Sequence, residues 1–342
     1  MFFQTQREAA GYIASKLADT RKEAVKVSLP LRELNTAPLL GMILEADPRL
    51  LFCLEGLAME TCEWKNRRSV SIRAKYTQML PSSVITASSE DEIEGRAYRA
   101  VLLHQKELRM VLPAERFPAA EEKIQETMRS ILDSWRFMNC GLKAVQVGYK
   151  RMDGCRFCGV RVQLQYSYGY QEMRRRAAQM APVVSQIASM ARRAGREDWR
   201  QAYAVVRYCV ANWRYGSLPA SQGEEFTAYG ALVNRKAVCM GISLAVCEIF
   251  GELGIPCRYM HGNRRGGRHG WNLVYVKGGW FYIDVTDSIT MRDPLYGWGI
   301  TELRDRTVEN PPLERLRCGC DKDFLRRAGV EGAPVLSAVM GR

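Results

Sequence analysis

Cys239, His269 and Asp284 are residues whose types could together break and remake an acyl bond. A thiolate attacks a carbonyl carbon, an imidazole carries the proton, and a carboxylate holds the imidazole's tautomer. Cys239 lies in "NRKAVCMGISLAVCEIFGELGIPCRYMHG", residues 234–262, which holds three of the chain's 11 cysteines. Taken alone, a cysteine is more often a small buried hydrophobe than a nucleophile. Cys239 differs from its neighbours in standing where an apolar helix should begin. The first turn of a helix presents unpaired N–H groups and the positive end of the peptide dipoles. That setting favours thiolate over thiol, and the same N–H groups could hold the oxyanion of an attacked carbonyl.

The elements that must position these groups follow from the pattern around them. Ile242, Leu244, Ala245, Ile249, Phe250 and Leu253 predict a buried helix that stops at Gly254, with Pro256 just beyond. Cys247 on that helix and Cys257 at the opening of the next strand read as packing residues. "PCRYMHG" reads as a strand, "NRRGGR" as a loop, "HGWNLVYV" as a strand, "KGG" as a turn and "WFYIDVT" as a strand. A two-residue turn at Lys277–Gly278 sets Val276 opposite Gly279 and Asp284 opposite Trp271. His269 is then a diagonal neighbour of Asp284 on one sheet face, within reach of a carboxylate–imidazole contact. A loop of odd length would part the pair unless a bulge corrected it.

The same segment resembles the core of bacterial transglutaminase-like domains, relatives of papain-fold cysteine peptidases and transglutaminases. The matching features are the Val-Cys before a small-residue helix, the Gly-Ile-Pro-Cys helix exit, the His-x-Trp-Asn strand and the Trp-x-Tyr-x-Asp-x-Thr strand. "YCVANWRYG" upstream looks like the helix and tyrosine that usually precede the nucleophile loop. The resemblance covers about Trp199 to Ser288. It implies Cys239 as nucleophile, His269 as general base and Asp284 as orienting carboxylate; Trp271, Arg268 and Tyr215 are the candidate substrate contacts beside them. Two positions depart from the family pattern: Gly270 stands where alanine is commoner, and "TDS" where a tryptophan after the threonine is frequent.

Other signals are weaker. Arg264, Arg265 and Arg268 before the histidine read as a solvated loop, or else as recognition of an acidic substrate group. His261 reads as a strand-end histidine facing solvent. Cys155 and Cys158, with Cys318 and Cys320, invite a four-thiolate zinc site, but the second pair has the wrong spacing, so no metal or other cofactor is expected. "GNRRGG" lies between two strands and so is no phosphate cradle.

Upstream, two segments resemble each other. "AVKVSLP" through "RSVSIRAKYTQ" and "ELRMVLP" through "CGVRVQLQYSY" each read as strand, helix, strand, strand, with alternation at Val70, Ile72, Ala74 and Tyr76 and at Val160, Val162, Leu164 and Tyr166. "PSSVITASSEDEIEGR" between them reads as a polar linker. "QEMRRRAAQMAPVVSQIASMARRAG" predicts a helix that Pro182 should kink or break. Asp198 is the expected N-cap of the helix that follows, with Trp199, Tyr203, Val206, Val210 and Trp213 at core spacing.

The fold class expected is α+β: a papain-like, transglutaminase-type core, a helix on an antiparallel sheet, behind two small strand-helix-strand-strand units. The divisions are residues 1–105, 106–170, 171–290 and 291–342. With 47% hydrophobic and 25% charged residues among 342, the chain has ample material for a core. No apolar run approaches the roughly 18 residues a membrane span needs. The N-terminus reads as an amphipathic helix rather than a signal peptide, so a cytoplasmic location with reduced cysteines is expected. A net charge of +13 permits anionic partners without selecting nucleic acid among them. The expected chemistry is thiol-dependent cleavage or transfer at an amide of a protein or peptide, with hydrolysis preferred. The rival reading is a catalytically idle interaction module. In either case the N-terminal units serve as scaffold or as a surface for a protein partner.

Overall fold

The computed structural model describes residues 1–30, 35–64, 67–87, 89–151, 155–216, 223–301, 303, 305–312, 316–317 and 320–328. Where the sequence divides the chain into four parts, compactness groups it into two units. One comprises Met1–Ser130 with Ala144–Gln165, the other Ile131–Lys143 with Tyr166–Arg342.

The first unit opens with α1 (Gln6–Asp19), the expected amphipathic helix. Thr5 and Glu8 close a reciprocal capping box, and Ala9, Ala10, Ile13, Ala14 and Leu17 bury one face. There follow β1 (Ala24–Pro30), α2 (Thr36–Ala46), α3 (Leu50–Cys53), β2 (Leu54–Trp64) and β3 (Arg67–Tyr76), then β4 (Ile85–Thr86), α4 (Glu90–Leu102), β5 (Glu107–Pro113), α5 (Phe117–Asp133), β6 (Leu142–Lys150) and β7 (Phe157–Tyr166), while α6 (Trp135–Asn139), between α5 and β6 in the chain, belongs to the second unit. The first three strands form a sheet in the order β1-β3-β2, and the next four a sheet in the order β4-β5-β7-β6. In both, the strand after the leading helix pairs antiparallel with the last strand of its group. Val25 faces Ile72 and Val27 faces Val70 in one; Leu108 faces Val162 and Met110 faces Val160 in the other. The internal resemblance is therefore one of topology, and each copy is longer than the sequence suggests: helix, strand, helix, strand, strand.

The leading helix of the second copy is a correction. The C-terminal part of the segment read as a linker, from Glu90 on, winds into α4. Ser89 caps it by accepting the Glu92 N–H at 3.3 Å, and Ile93, Ala97, Ala100 and Val101 are buried along one stripe. Charges on its other face mask that period.

The second unit holds α7 (Tyr170–Arg193), α8 (Asp198–Asn212), β8 (Arg214–Tyr215), a turn of 3₁₀ helix at Gly223–Phe226, α9 (Ala228–Leu232), β9 (Lys236–Ala237), α10 (Cys239–Leu253), β10 (Cys257–Arg264), β11 (Gly267–Val276), β12 (Gly279–Ile283), α11 (Val285–Met291), β13 (Arg306–Val308) and α12 (Lys322–Arg327). Residues 217–222, in the expected loop before Cys239, lie outside the described residues. The helix α7 runs unbroken through Pro182, because that ring sits on the exposed face, where a lost backbone bond is made good by water. Glu197 takes the cap position expected of Asp198, whose carboxylate instead accepts the N–H groups of Trp199 at 2.6 Å and Lys277 at 2.9 Å.

A four-stranded antiparallel sheet, in the order β12-β11-β10-β13, packs against α10. Ile242, Leu244, Ala245, Val246, Ile249 and Phe250 are fully buried, so α10 is the axis of this unit's core. It ends at Gly254 in the left-handed conformation, as expected. No helix among the described residues is long and apolar enough to cross a membrane.

Truncating the side chain at the centre of that core, Phe250→Ala, should lower stability by about 3–5 kcal/mol. Tyr275→Ala, on a half-exposed strand position, should cost less than about 1 kcal/mol. Urea denaturation of the two variants, compared with the parent, reads the difference.

Candidate active site

Cys239 is the first residue of α10, and its position is fixed by what lies under the helix start. Gly241 rests on the backbone carbonyls of Glu225 and Thr227, leaving no room for a Cβ. The Val238 N–H reaches the Glu225 carbonyl at 3.0 Å. A short parallel ladder, Arg214 with Lys236 and Tyr215 with Ala237, brings Tyr215 alongside the thiol. Together these clamp the first turn so that its N–H groups point away from the core.

The imidazole arrives from the sheet. β11 and β12 are joined at Lys277 and Gly278, both with positive φ, and Val276 pairs with Gly279 through to Asn272 with Ile283. This is the register read from the sequence. His269 Nε2 lies 2.7 Å from Asp284 Oδ2. That contact turns Nδ1 toward Cys239, whose side chain is hydrogen-bonded to His269. Asp284 is not a strand residue, however. It caps α11, accepting the Asp287 N–H on Oδ1 at 3.0 Å. One oxygen therefore anchors a helix and the other faces the imidazole.

The electrostatics of this line favour separated charge. Burial pushes the Cys239 thiol up, but the hydrogen bond from His269 and the N–H groups of Gly270 and Met240 more than reverse it, leaving the thiol below its ordinary range. Burial pulls His269 down, yet Asp284 and Cys239 outweigh it and carry the imidazole up to about 9. Asp284 is held below the ordinary carboxylate range: its burial opposes ionisation, and His269, Arg306 and the Asp287 N–H restore it. A thiolate facing an imidazolium is the state these shifts support.

Arg306 is the residue that sequence reasoning missed. Its side chain is 4% exposed and donates Nη1 to Asp284 Oδ2 and Nη2 to Asp287 Oδ2, the second at 3.0 Å. It arrives on β13, which pairs with β10 through Gly262 with Val308 and Arg264 with Arg306. Arg264 meets Asp287 from the other side and also reaches Asp305 at 3.2 Å. Ligand atoms of His269, Asp284 and Asp287 lie within 4.8 Å of one another. Both carboxylates already accept guanidinium donors, so this cluster is saturated with cations and makes a poor metal cage. Cys155 and Cys158 join no group of three possible ligands among the described residues, and Cys318 lies outside them.

The remaining candidates divide. Tyr215 is 36% exposed beside Cys239, and its hydroxyl is raised by burial and then by the neighbouring sulfur. Arg268 has a side chain 82% exposed and touches Glu309 at 3.2 Å. Trp271 is fully buried, its ring stacked near His269 at 5.9 Å, so it supports the imidazole from within and has no face for substrate. Arg264 is likewise no solvated loop residue, and Arg265 pairs with Asp305 at 3.4 Å. His261 does not face solvent: it sits between Asp133 at 3.3 Å and Glu309 at 3.2 Å, and the former in particular raises its affinity for a proton. Cys247 is buried with its sulfur 3.5 Å from that of Cys257, and burial pushes its thiol well up, the opposite of Cys239. The glycine at 270 has a local cause: a Cβ there would lie 2.8 Å from the Tyr259 ring.

Residues 185–285 match the sequence profile of the Transglutaminase-like superfamily, so this stretch is a transglutaminase-like domain. Several solved structures are similar at low identity, three of them as follows. A TGase shares 14% identity over 70% of this chain and 65% of its own, at a TM-score of 0.31. A proposed cysteine protease from Cytophaga hutchinsonii shares 11% over 51% and 79%, at 0.27. The periplasmic domain of TgpA from Pseudomonas aeruginosa, bound to ethylmercury, shares 18% over 42% and 60%, at 0.28. The match thus spans less than two thirds of the TGase chain and of the TgpA chain. No curated protein matches this one.

Asp284 stabilises the imidazolium, and the imidazolium stabilises the thiolate. Asp284→Asn should therefore move the midpoint of Cys239 alkylation by iodoacetamide upward, toward the ordinary thiol value of 9.0. The rate at neutral pH should fall about tenfold, one unit of thiolate pKa. Rates followed by peptide mass spectrometry across pH, with circular dichroism confirming the fold, check the sign.

Proposed function

We propose that the transglutaminase-like domain performs thiol-dependent acyl chemistry on an amide of a protein or peptide, with water as the preferred acceptor. The observation that supports this reading best is the unbroken line of contacts from Cys239 through His269 to Asp284 at the start of a buried helix. In it the thiol is lowered while the imidazole is raised. Buried packing residues show the reverse, as Cys247 and Cys209 do.

In this mechanism the Cys239 thiolate attacks the amide carbonyl carbon, and the developing oxyanion is met by first-turn N–H groups of α10. His269, as imidazolium, gives its proton to the departing nitrogen, the C–N bond breaks, and a thioester remains on Cys239. The neutral imidazole then takes a proton from water as the water oxygen adds to the thioester. Collapse releases the carboxylic acid and returns the thiolate–imidazolium pair. A primary amine in place of water would give a new amide by the same steps. Tyr215, part-exposed beside the sulfur, and Arg268, exposed at the start of β11, would contact the substrate. A cytoplasmic setting, where thiols stay reduced, suits this chemistry.

The test begins with a peptidyl thiol-directed electrophile at mildly acidic pH, where an ordinary cysteine is almost wholly protonated. Cys239 should label ahead of the other cysteines, and His269→Ala should abolish that preference. A peptide library then supplies substrate, and product mass separates a new carboxylate from a new amide when a primary amine is added. Uniform slow labelling of all thiols would overturn the enzyme and leave an interaction module. Amide products at the expense of acid would overturn water as the acceptor.

A further inference from the structure

The His269 imidazole faces two acids rather than one. Asp284 touches it directly, and the Asp287 carboxylate has an oxygen within 4.8 Å of the same ligand atoms. Both are buried. In a site of low effective dielectric, two carboxylates beside one imidazole bind its proton tightly. A general acid that holds its proton too firmly does not pass it to a leaving amine. Something in the structure must offset that excess negative charge.

Arg306 is placed to do it. Its guanidinium donates to the same Asp284 oxygen that His269 uses, and with its second nitrogen to Asp287. Asp284 also has an anchor apart from it, since Oδ1 accepts the Asp287 N–H. The charged and titratable groups around the imidazole are Cys239 from α10, Tyr215 from β8, Asp284 and Asp287 at the start of α11, Arg264 from β10, and Asp305 and Arg306 at β13. Arg264 pairs directly with Asp287 and Asp305 and acts on Asp284 from a distance. Among the described residues, Arg306 is the cation in direct contact with the oxygen His269 touches. We propose that Arg306, supplied from outside the transglutaminase-like stretch, tunes His269 by sharing Asp284 with it and neutralising Asp287, keeping the imidazolium proton transferable.

The backbone is built around this delivery. Gly262 pairs with Val308, and a Cβ at 262 would run into the Thr307 carbonyl, so β13 lies against β10 only because residue 262 has no side chain. Arg306 is therefore a positioning residue that acts through Asp284 and touches no substrate. The inference rests on reading His269 as the proton carrier, but its test does not need turnover.

The measurement is the NMR titration of the His269 ring, in the full chain and in a Cys239→Ser background so that the thiol does not titrate with it. The chain has three histidines, so assignment by substitution is direct. Arg306→Met should raise the His269 midpoint by about one unit, the effect of removing a close cation from its acid. Arg306→Lys should recover most of that shift, since one charge returns to the Asp284 oxygen. Gly262→Ala, which keeps the arginine in the sequence but displaces the strand that delivers it, should shift the midpoint the same way. In the parent background, Arg306→Met should move the alkaline limb of turnover upward and lower kcat with little change in KM. A midpoint that stays put or falls in a folded Arg306→Met protein would overturn the proposal, since a merely structural arginine would loosen Asp284 without tightening the proton. Should Cys239 prove inert while the midpoint rises, the charge balance stands and the acyl chemistry fails; the converse result rejects the charge balance alone.

Discussion

The site depends on a single buried charge. Asp284 is 1% exposed by its side chain and yet ionised, a condition that is costly unless every lone pair is met. The structure meets them with three donors of different kinds: a helix-start N–H, an imidazole and a guanidinium. Each partner comes from a different part of the second unit, so the carboxylate is where a hairpin, a capped helix and a late strand are tied together. Removing it would leave a guanidinium and an imidazole near each other in a buried setting. That arrangement also explains why Asp284 ends its strand. As a cap it spends one oxygen on backbone order and keeps the other for the side chains.

Close backbone approach is the second requirement. At Gly241 the nucleophile helix sits directly on two carbonyls, at Gly262 the last strand of the sheet is admitted, and at Gly270 the Tyr259 ring fills the space a methyl group would take. These three glycines lie on α10, β10 and β11, the elements that meet around the sulfur. Their lack of a side chain converts ordinary helix-on-sheet packing into a narrow approach of Cys239 to His269. A domain of the same topology with bulkier residues at these points would have to open the contact or drop a strand.

Much of this was legible in the sequence because it is written in local chemistry. A helix stop at Gly254 and Pro256, a two-residue turn at Lys277–Gly278 and the alternation along β11 suffice to place His269 and Asp284 on one face. What escaped were features set by distant contacts. A strand of three residues, Arg306–Val308, carries too little pattern to be seen, and nothing near it announces that its arginine will be buried. Trp271 shares the alternation of His269, so its burial beneath the imidazole follows from packing depth rather than periodicity. The α4 stripe at Ile93, Ala97, Ala100 and Val101 was obscured by the acidic run that precedes it.

The repeated topology of the first unit has a consequence for how the chain reaches its native state. Two segments with the same order of elements and the same apolar face, Val25 and Val27 in one and Leu108 and Met110 in the other, offer each nascent sheet a plausible but wrong strand. Discrimination then falls to pairs peculiar to each ladder: the hydroxyl contact of Ser28 with Ser69 at 2.9 Å, and the ion pair of Glu107 with Arg161. Difference in sequence between two segments of like topology is thus a safeguard against mispairing, and greater likeness between them would be punished as misassembly long before it altered any contact in the finished fold.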